Sequence, residues 1–193
     1  MRIIFLPLFF CASSIAATIT LTMTEVPTQP IDGLTVSKGG LNFSFTNPAG
    51  SLEYNSGGPG TISFVQDPSI AGRSSQFSVT FSATVWSVQF GLAENIGSIG
   101  GQLATIDLFN GGAVPFATSS LNASLVDPFA EGAFSFSGGP LTSIRITPNS
   151  AAPVVAFDNL TVETTPEPES VALTAAGLLL VAWKLARFRA TSV

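Results

Sequence analysis

Leu41-Asn42-Phe43-Ser44-Phe45 and Phe77-Ser78-Val79-Thr80-Phe81-Ser82 decide the fold class. In both runs apolar and polar residues strictly alternate. Successive side chains of an extended chain point to opposite faces, so a period of two marks a strand with one face buried and the other wet. A helix would repeat its apolar positions every three to four residues, and no stretch between residues 18 and 164 sustains that spacing.

The runs around these two are of the same kind. Thr18 to Met23, Thr61 to Val65, Val85 to Phe90, Leu103 to Phe109, Ala133 to Ser137, Leu141 to Thr147 and Val154 to Val162 are short and rich in Phe, Val, Ile and Thr. Turn-forming clusters separate them: Gly57-Gly58-Pro59-Gly60, Gly100-Gly101, Asn110-Gly111-Gly112 and Gly138-Gly139-Pro140. Val85 to Phe90 either continues the strand before it or begins a partner. Asp67 to Ser75 and Ala93 to Ser98 are ambiguous between the classes. Eight to eleven short strands with one apolar face each require two sheets packed face to face. The expected fold is an all-β antiparallel β-sandwich over 18–164, its interior filled by twelve phenylalanines. The longer loops favour a jelly-roll-like arrangement over an immunoglobulin-like one.

Composition narrows the chemistry. The chain has no histidine, and its one cysteine is Cys11. Ser-His-Asp and Cys-His nucleophile systems are therefore absent, as are ordinary zinc sites. Between residues 17 and 165 three bases (Lys38, Arg73, Arg145) face ten acids, so there is no basic patch for nucleic acid. A non-enzymatic role is expected. Asp107 and Asp127 flank expected loops and could in principle serve as a glycosidase pair, but solvated surface acids are far commoner than catalytic ones. The Asn-x-Ser/Thr triplets at Asn42, Asn122 and Asn159 are at chance level in a chain so rich in Ser and Thr.

Two sites carry candidate binding chemistry. Asp158 and Asn159 interrupt an otherwise apolar final strand. One reading is an oxygen-ligand calcium site completed by Asp32 or Asp67; the other is a bulge in which Asp158 accepts backbone amides. No Asp-x-Asp-x-Asp-Gly loop is present. Tyr54 and Trp86 are the only residues between 18 and 164 of the types that usually stack on sugars. Trp86 lies in a strand run, where packing is the simpler role. Tyr54 precedes a Gly-rich loop and is expected to be exposed.

The two ends differ from the middle. Met1-Arg2, the apolar run Ile3 to Cys11 and the small residues Ala12 to Ala17 form a secretory signal peptide over 1–17, cut after Ala16 or Ala17. A first β-strand or a lipoprotein signal through Cys11 fits less well, the latter because Phe9 and Phe10 stand where small residues are needed. At the other end, Pro166-Glu167-Pro168 precedes an apolar helix over 171–186, then Lys184, Arg187 and Arg189. Sixteen helical residues span roughly 24 Å, somewhat short of a hydrocarbon core about 30 Å thick. Lys184 can snorkel to the headgroups, and the basic end favours the cytoplasmic side. A buried core helix seldom ends a chain with three cations, and a glycolipid-anchor signal normally lacks the basic end.

Motif, apolar helix and basic end over 165–193 resemble the PEP-CTERM sorting tail of Gram-negative bacteria. Gly39 to Phe45, Phe134 to Pro140 and Ala156 to Val162 further resemble uncharacterised PEP-CTERM surface proteins with a lectin-like sandwich. The resemblance implies the Sec export machinery and an exosortase as partners, with a membrane-anchored precursor cut at the tail. It implies a mature form at the cell surface or in the extracellular matrix. The alternative is a secreted carbohydrate-binding module for extracellular polysaccharide, with calcium assisting. No cofactor other than calcium is expected.

Overall fold

The structure is a computed structural model that describes residues 16–60, 62–95, 101–125, 129–149 and 154–164, with helical residues 177, 178, 180 and 181. Residues 1–15 of the expected signal peptide over 1–17, and the tail residues Pro166, Glu167, Pro168, Lys184, Arg187 and Arg189, lie outside the described residues. Among the described residues no helix is long and apolar enough to cross a membrane. Thr18–Thr164 forms one compact unit.

Among the described residues eleven strands build that unit: β1 (Thr18–Leu21), β2 (Gln29–Pro30), β3 (Thr35–Lys38), β4 (Leu41–Thr46), β5 (Glu53–Ser56), β6 (Ser69–Arg73), β7 (Phe77–Asn95), β8 (Gly101–Phe109), β9 (Ala117–Leu125), β10 (Ala130–Pro148) and β11 (Val154–Thr164). Their hydrogen-bonded order is β2-β5-β6-β11-β7-β10-β8-β9, with β1 on β11 and the β3–β4 hairpin on β7. Every pairing is antiparallel.

Two nineteen-residue strands make the sandwich. β7 and β10 pair along most of their length, but each changes its other neighbour half-way. The first half of β7, from Ser78 to Phe81, pairs with β4, and its second half, from Val85, pairs with β11. β10 meets β9 at Ala130 and Glu131 and β8 from Ser143 to Pro148. The ladder thus passes from one layer into the other. The corner is a bulge, where register shifts fall between Ser137 and Ser143. Gly138 takes φ 106°, a left-handed conformation that suits glycine. The Gly138-Gly139-Pro140 cluster therefore bends a strand that the sequence reading divides in two.

The inner faces meet in one apolar cluster. The expected alternation holds: Phe43, Phe45, Phe77, Val79 and Phe81 are all buried. Cross-layer contacts tie the sheets. Phe77 meets Phe157 edge to face at 5.5 Å between ring centroids, and Phe45 meets Tyr54 at 6.0 Å. Phe157 also packs on Phe90 at 5.0 Å. Such aromatic pairs add to the area term of burial.

Thr61 to Val65 is not a strand. Its described residues form a turn, with the Ile62 N–H donating to Val65 O at 3.0 Å, and they lie over the outer face of β7 and β11. β2, β3, β5 and β9 go beyond the expected runs. They are short or, like β9 with Ala-Thr-Ser-Ser-Leu, carry little apolar residue alternation. Phe157→Ala is expected to destabilise the unit by about 3–5 kcal/mol, read as a lower urea midpoint at unchanged slope.

Candidate functional site

The outer face of β11, β7 and β10 holds the candidate site. Outward positions align across the strands by register. Thr161, Gln89 and Ser135 form one row, and β1 extends it with Thr20 opposite Thr161. The two threonine hydroxyls are 2.8 Å apart. The next outward row is Asp158, Gly91 and Ala133, and the one after is Ala71, Ala156, Ala93 and Glu131.

A segment running from Gly57 to Pro68 arches over part of this face. It has no ladder to satisfy its amides, so acids of the sheet and the loop do so. Glu131 accepts from the Ser63 N–H at 3.1 Å and the Phe64 N–H at 2.9 Å. Asp158 accepts from the Gln66 N–H at 3.0 Å. Asp67 takes the Gly58 and Gly60 N–H groups at 2.6 and 3.2 Å. Beneath it Val65 packs on Ala71, Ala93 and Ala156 in a second, small apolar cluster. Gly91 is needed where it stands, because a Cβ there would collide with Phe64 O.

Where the loop stops, an open groove of about 360 Å³ begins. Ser63 and Phe64 form its wall, Gly91 and Ala133 its floor, and Gln89, Ser135, Asn159 and Thr161 its polar lining. None of these side chains is charged. Phe64 is 39% exposed, unusual for phenylalanine. Trp86 stands three residues before Gln89 on β7, 47% exposed, at a position where β7 bulges against both neighbours.

The sequence candidates fall differently. Tyr54, expected at the surface, is fully buried. Its β5 position faces the core, and its hydroxyl finds a partner there, donating to Glu25 Oε2 at 2.5 Å. A tyrosine ring buries readily when its hydroxyl is paired. Burial and the neighbouring Glu25 carboxylate push the Tyr54 hydroxyl far above its usual range. Burial also works to raise Glu25, but the Lys38 ammonium at 2.6 Å, Tyr54 and the Thr22 N–H overrule it and hold the carboxyl at about 2. Trp86 lies on a sheet surface rather than in the core.

Asp158 and Asn159 do form a bulge. The register slips between Asp158 and Thr161, Asn159 takes φ 56°, and its amide reaches Phe64 O at 3.5 Å. Asp32 accepts from the Asn47 N–H at 2.7 Å. Among the described residues no three His, Cys, Asp or Glu side chains gather as a metal-ligand group. Asp107 is bound to Arg145 at 2.6 Å and to the Thr118 hydroxyl at 2.7 Å, which keep its carboxyl low against the opposing effect of burial. Asp127 lies outside the described residues.

Gln89, Ser135, Thr161 and Phe64 escape the sequence reading. The first three are the polar positions of alternating strands, indistinguishable from any wet face until register aligns them. Phe64 sits in a run that reads as strand.

No protein-family model matches the chain, and no curated protein matches it. Solved structures do. A variant of a family 29 carbohydrate-binding module is 12% identical, with a TM-score of 0.40 over 72% of this chain and 85% of that one. A second variant of that module, complexed with cellulohexaose, is 11% identical at a TM-score of 0.41 over 73% and 93%. A cleaved adhesin domain of Lys-gingipain from Porphyromonas gingivalis is 10% identical at 0.38 over 77% and 99%. These superpositions are loose, and none assigns a ligand or a residue to this chain.

One acid has no counterpart in the groove. Glu94 pairs with Val155 and Ala130, faces the core at 1% exposure, and neither carboxylate oxygen has a hydrogen-bond partner. Burial raises it from its ordinary 4.5 to about 7. The folded state thus binds the proton more tightly than the unfolded chain, and stability falls as pH climbs from about 4.5 through 7. Glu94→Gln is expected to stabilise the unit at pH 8 by on the order of 3 kcal/mol and to leave it unchanged at pH 4. Urea titrations at the two pH values check this; equal shifts at both would show that Glu94 is solvated or paired.

Proposed function

We propose that the sandwich is an exported surface-interaction module, jelly-roll-like in type, that takes a neutral polysaccharide chain in the Phe64–Gln89–Ser135–Thr161 groove. The observation behind it is the pairing, on a rigid sheet, of uncharged donors and acceptors with an exposed aromatic ring. A sugar presents hydroxyls that need both donors and acceptors, and C–H faces that pack on aromatic rings. A groove with amide and hydroxyl linings suits the first and Phe64 the second. The lack of charge in the lining favours a neutral polymer over an anionic one. From Trp86 to Gly91, beneath Phe64, β7 runs about 16 Å, long enough to engage several sugar units.

Affinity electrophoresis of the full-length chain through gels containing soluble neutral glucans and mannans tests this. Retardation by at least one polymer is expected. Gln89→Ala is expected to weaken it about tenfold, the loss of one or two hydrogen bonds, and Phe64→Ala to weaken it similarly. Trp86→Ala reports whether the chain extends past the groove. Wild-type mobility unchanged by every neutral polymer, or full binding by Gln89→Ala, would overturn the assignment.

We further propose that Pro166-Glu167-Pro168, the apolar helix over 171–186 and the basic residues Lys184, Arg187 and Arg189 direct exosortase processing. The support is the order of the three parts in the sequence. The precursor is anchored in the inner membrane after Sec export, and the mature form reaches the cell surface. Intact mass of the native protein checks this. A species ending near residues 165–170 is expected, and one running through Val193 would make the helix a permanent anchor.

A further inference from the structure

Extending the β11–β6 register one step beyond the Phe157–Ile70 pair sets Asp158 opposite Ser69. Phe157 and Ile70 face the core, so by strand alternation Asp158 and Ser69 face outward. Outward side chains are normally wet, yet Ser69 is fully buried and Asp158 is 3% exposed. The Gly57–Pro68 loop covers them. Asp158 Oδ2 is used by the Gln66 N–H, but Asp158 Oδ1 and Ser69 Oγ are buried with no hydrogen-bond partner among the described residues. Two orphaned oxygens on neighbouring positions carry a desolvation cost that some group should relieve.

The space beside them is defined. A side chain on Gly58 would bring its Cβ within 2.5 Å of Ser69 Oγ and 2.8 Å of Asp67 Oδ1, so those two oxygens are neighbours across one small gap. The charges that bear on Asp158 are both negative, Glu25 and Asp67. Three hard oxygens from two carboxylates and a hydroxyl, with net negative charge, match a calcium ion, which takes oxygen ligands and completes its shell with backbone carbonyls and water.

We propose that Asp158 Oδ1, Ser69 Oγ and Asp67 hold a calcium ion beneath the Gly57–Pro68 loop. The site differs from the sequence expectation in two ligands. Ser69 joins it, and Asn159, whose amide points to Phe64 O, does not. The ion does not depend on the polysaccharide reading, because it lies under the loop and not in the groove. It does fix the segment that carries Phe64, and so bears on the groove wall.

The test is thermal unfolding of the full-length chain, stripped with chelator and then titrated with calcium chloride. At about a hundredfold excess over the dissociation constant, the melting temperature is expected to rise by roughly 5–10 °C. Asp158→Asn and Ser69→Ala are expected to abolish the rise. Without calcium, Ser69→Ala should melt at or above the wild-type temperature, since it removes an unpaired buried hydroxyl. That keeps the test decisive if Asp158→Asn fails to fold. No rise in the wild type, or a rise that persists in Ser69→Ala, overturns the proposal. So does an Asp158→Asn variant that is as stable as the calcium-saturated wild type, because Asp158 would then be simply protonated.

Discussion

The long pairing of β7 with β10 is the constraint on which the rest of the unit depends. Two nineteen-residue strands paired on both sides of one interruption cannot remain flat, because sheets twist. The bulge at Ser137 to Ser143 converts that twist into a corner. On one side of it the ladder recruits β4 and β8, on the other β11 and β6. Both layers share the same two strands, so Phe77 of β7 reaches across to Phe157 without a separate linker.

The fold class was legible because its signal is local. Alternation in Leu41 to Phe45 and Phe77 to Ser82 needs only neighbouring residues, and the structure buries the positions it marks. What local reading cannot supply is where backbone groups find partners. Thr61 to Val65 has strand-forming residues, but its Ser63 and Phe64 amides are taken by Glu131, and the Gln66 amide just after it by Asp158, carboxylates some seventy and ninety positions away. Tyr54 beside a Gly-rich loop looks exposed until Glu25 supplies its hydroxyl with an acceptor. Gly138-Gly139-Pro140 has turn composition, yet it bends one strand because both flanks pair with β7.

The acids of the unit show why a residue count says little about a site. Glu131, Asp67 and Asp158 act as backbone acceptors for a loop, Asp107 and Glu25 hold cations, and Glu94 sits alone in apolar surroundings. Their environments assign the roles. The groove that forms beside the loop is lined instead by neutral side chains, whose alignment follows from the register of β11, β7 and β10.

The pairing of the first strand with the last has a mechanical consequence. Thr18 lies opposite Glu163, so the chain enters and leaves the sandwich at one place. Tension across both ends peels β1 from β11 one pair at a time, the weakest way to load a sheet. Tension on the C-terminal end alone runs into β11, which is bonded to β7 from Val154 to Thr164, and must shear many hydrogen bonds at once. Thr161, on the groove, is three residues from Thr164 on that same strand. A pull that enters at Thr164 and is resisted at the groove crosses one turn of pleat, leaving the core outside the load path.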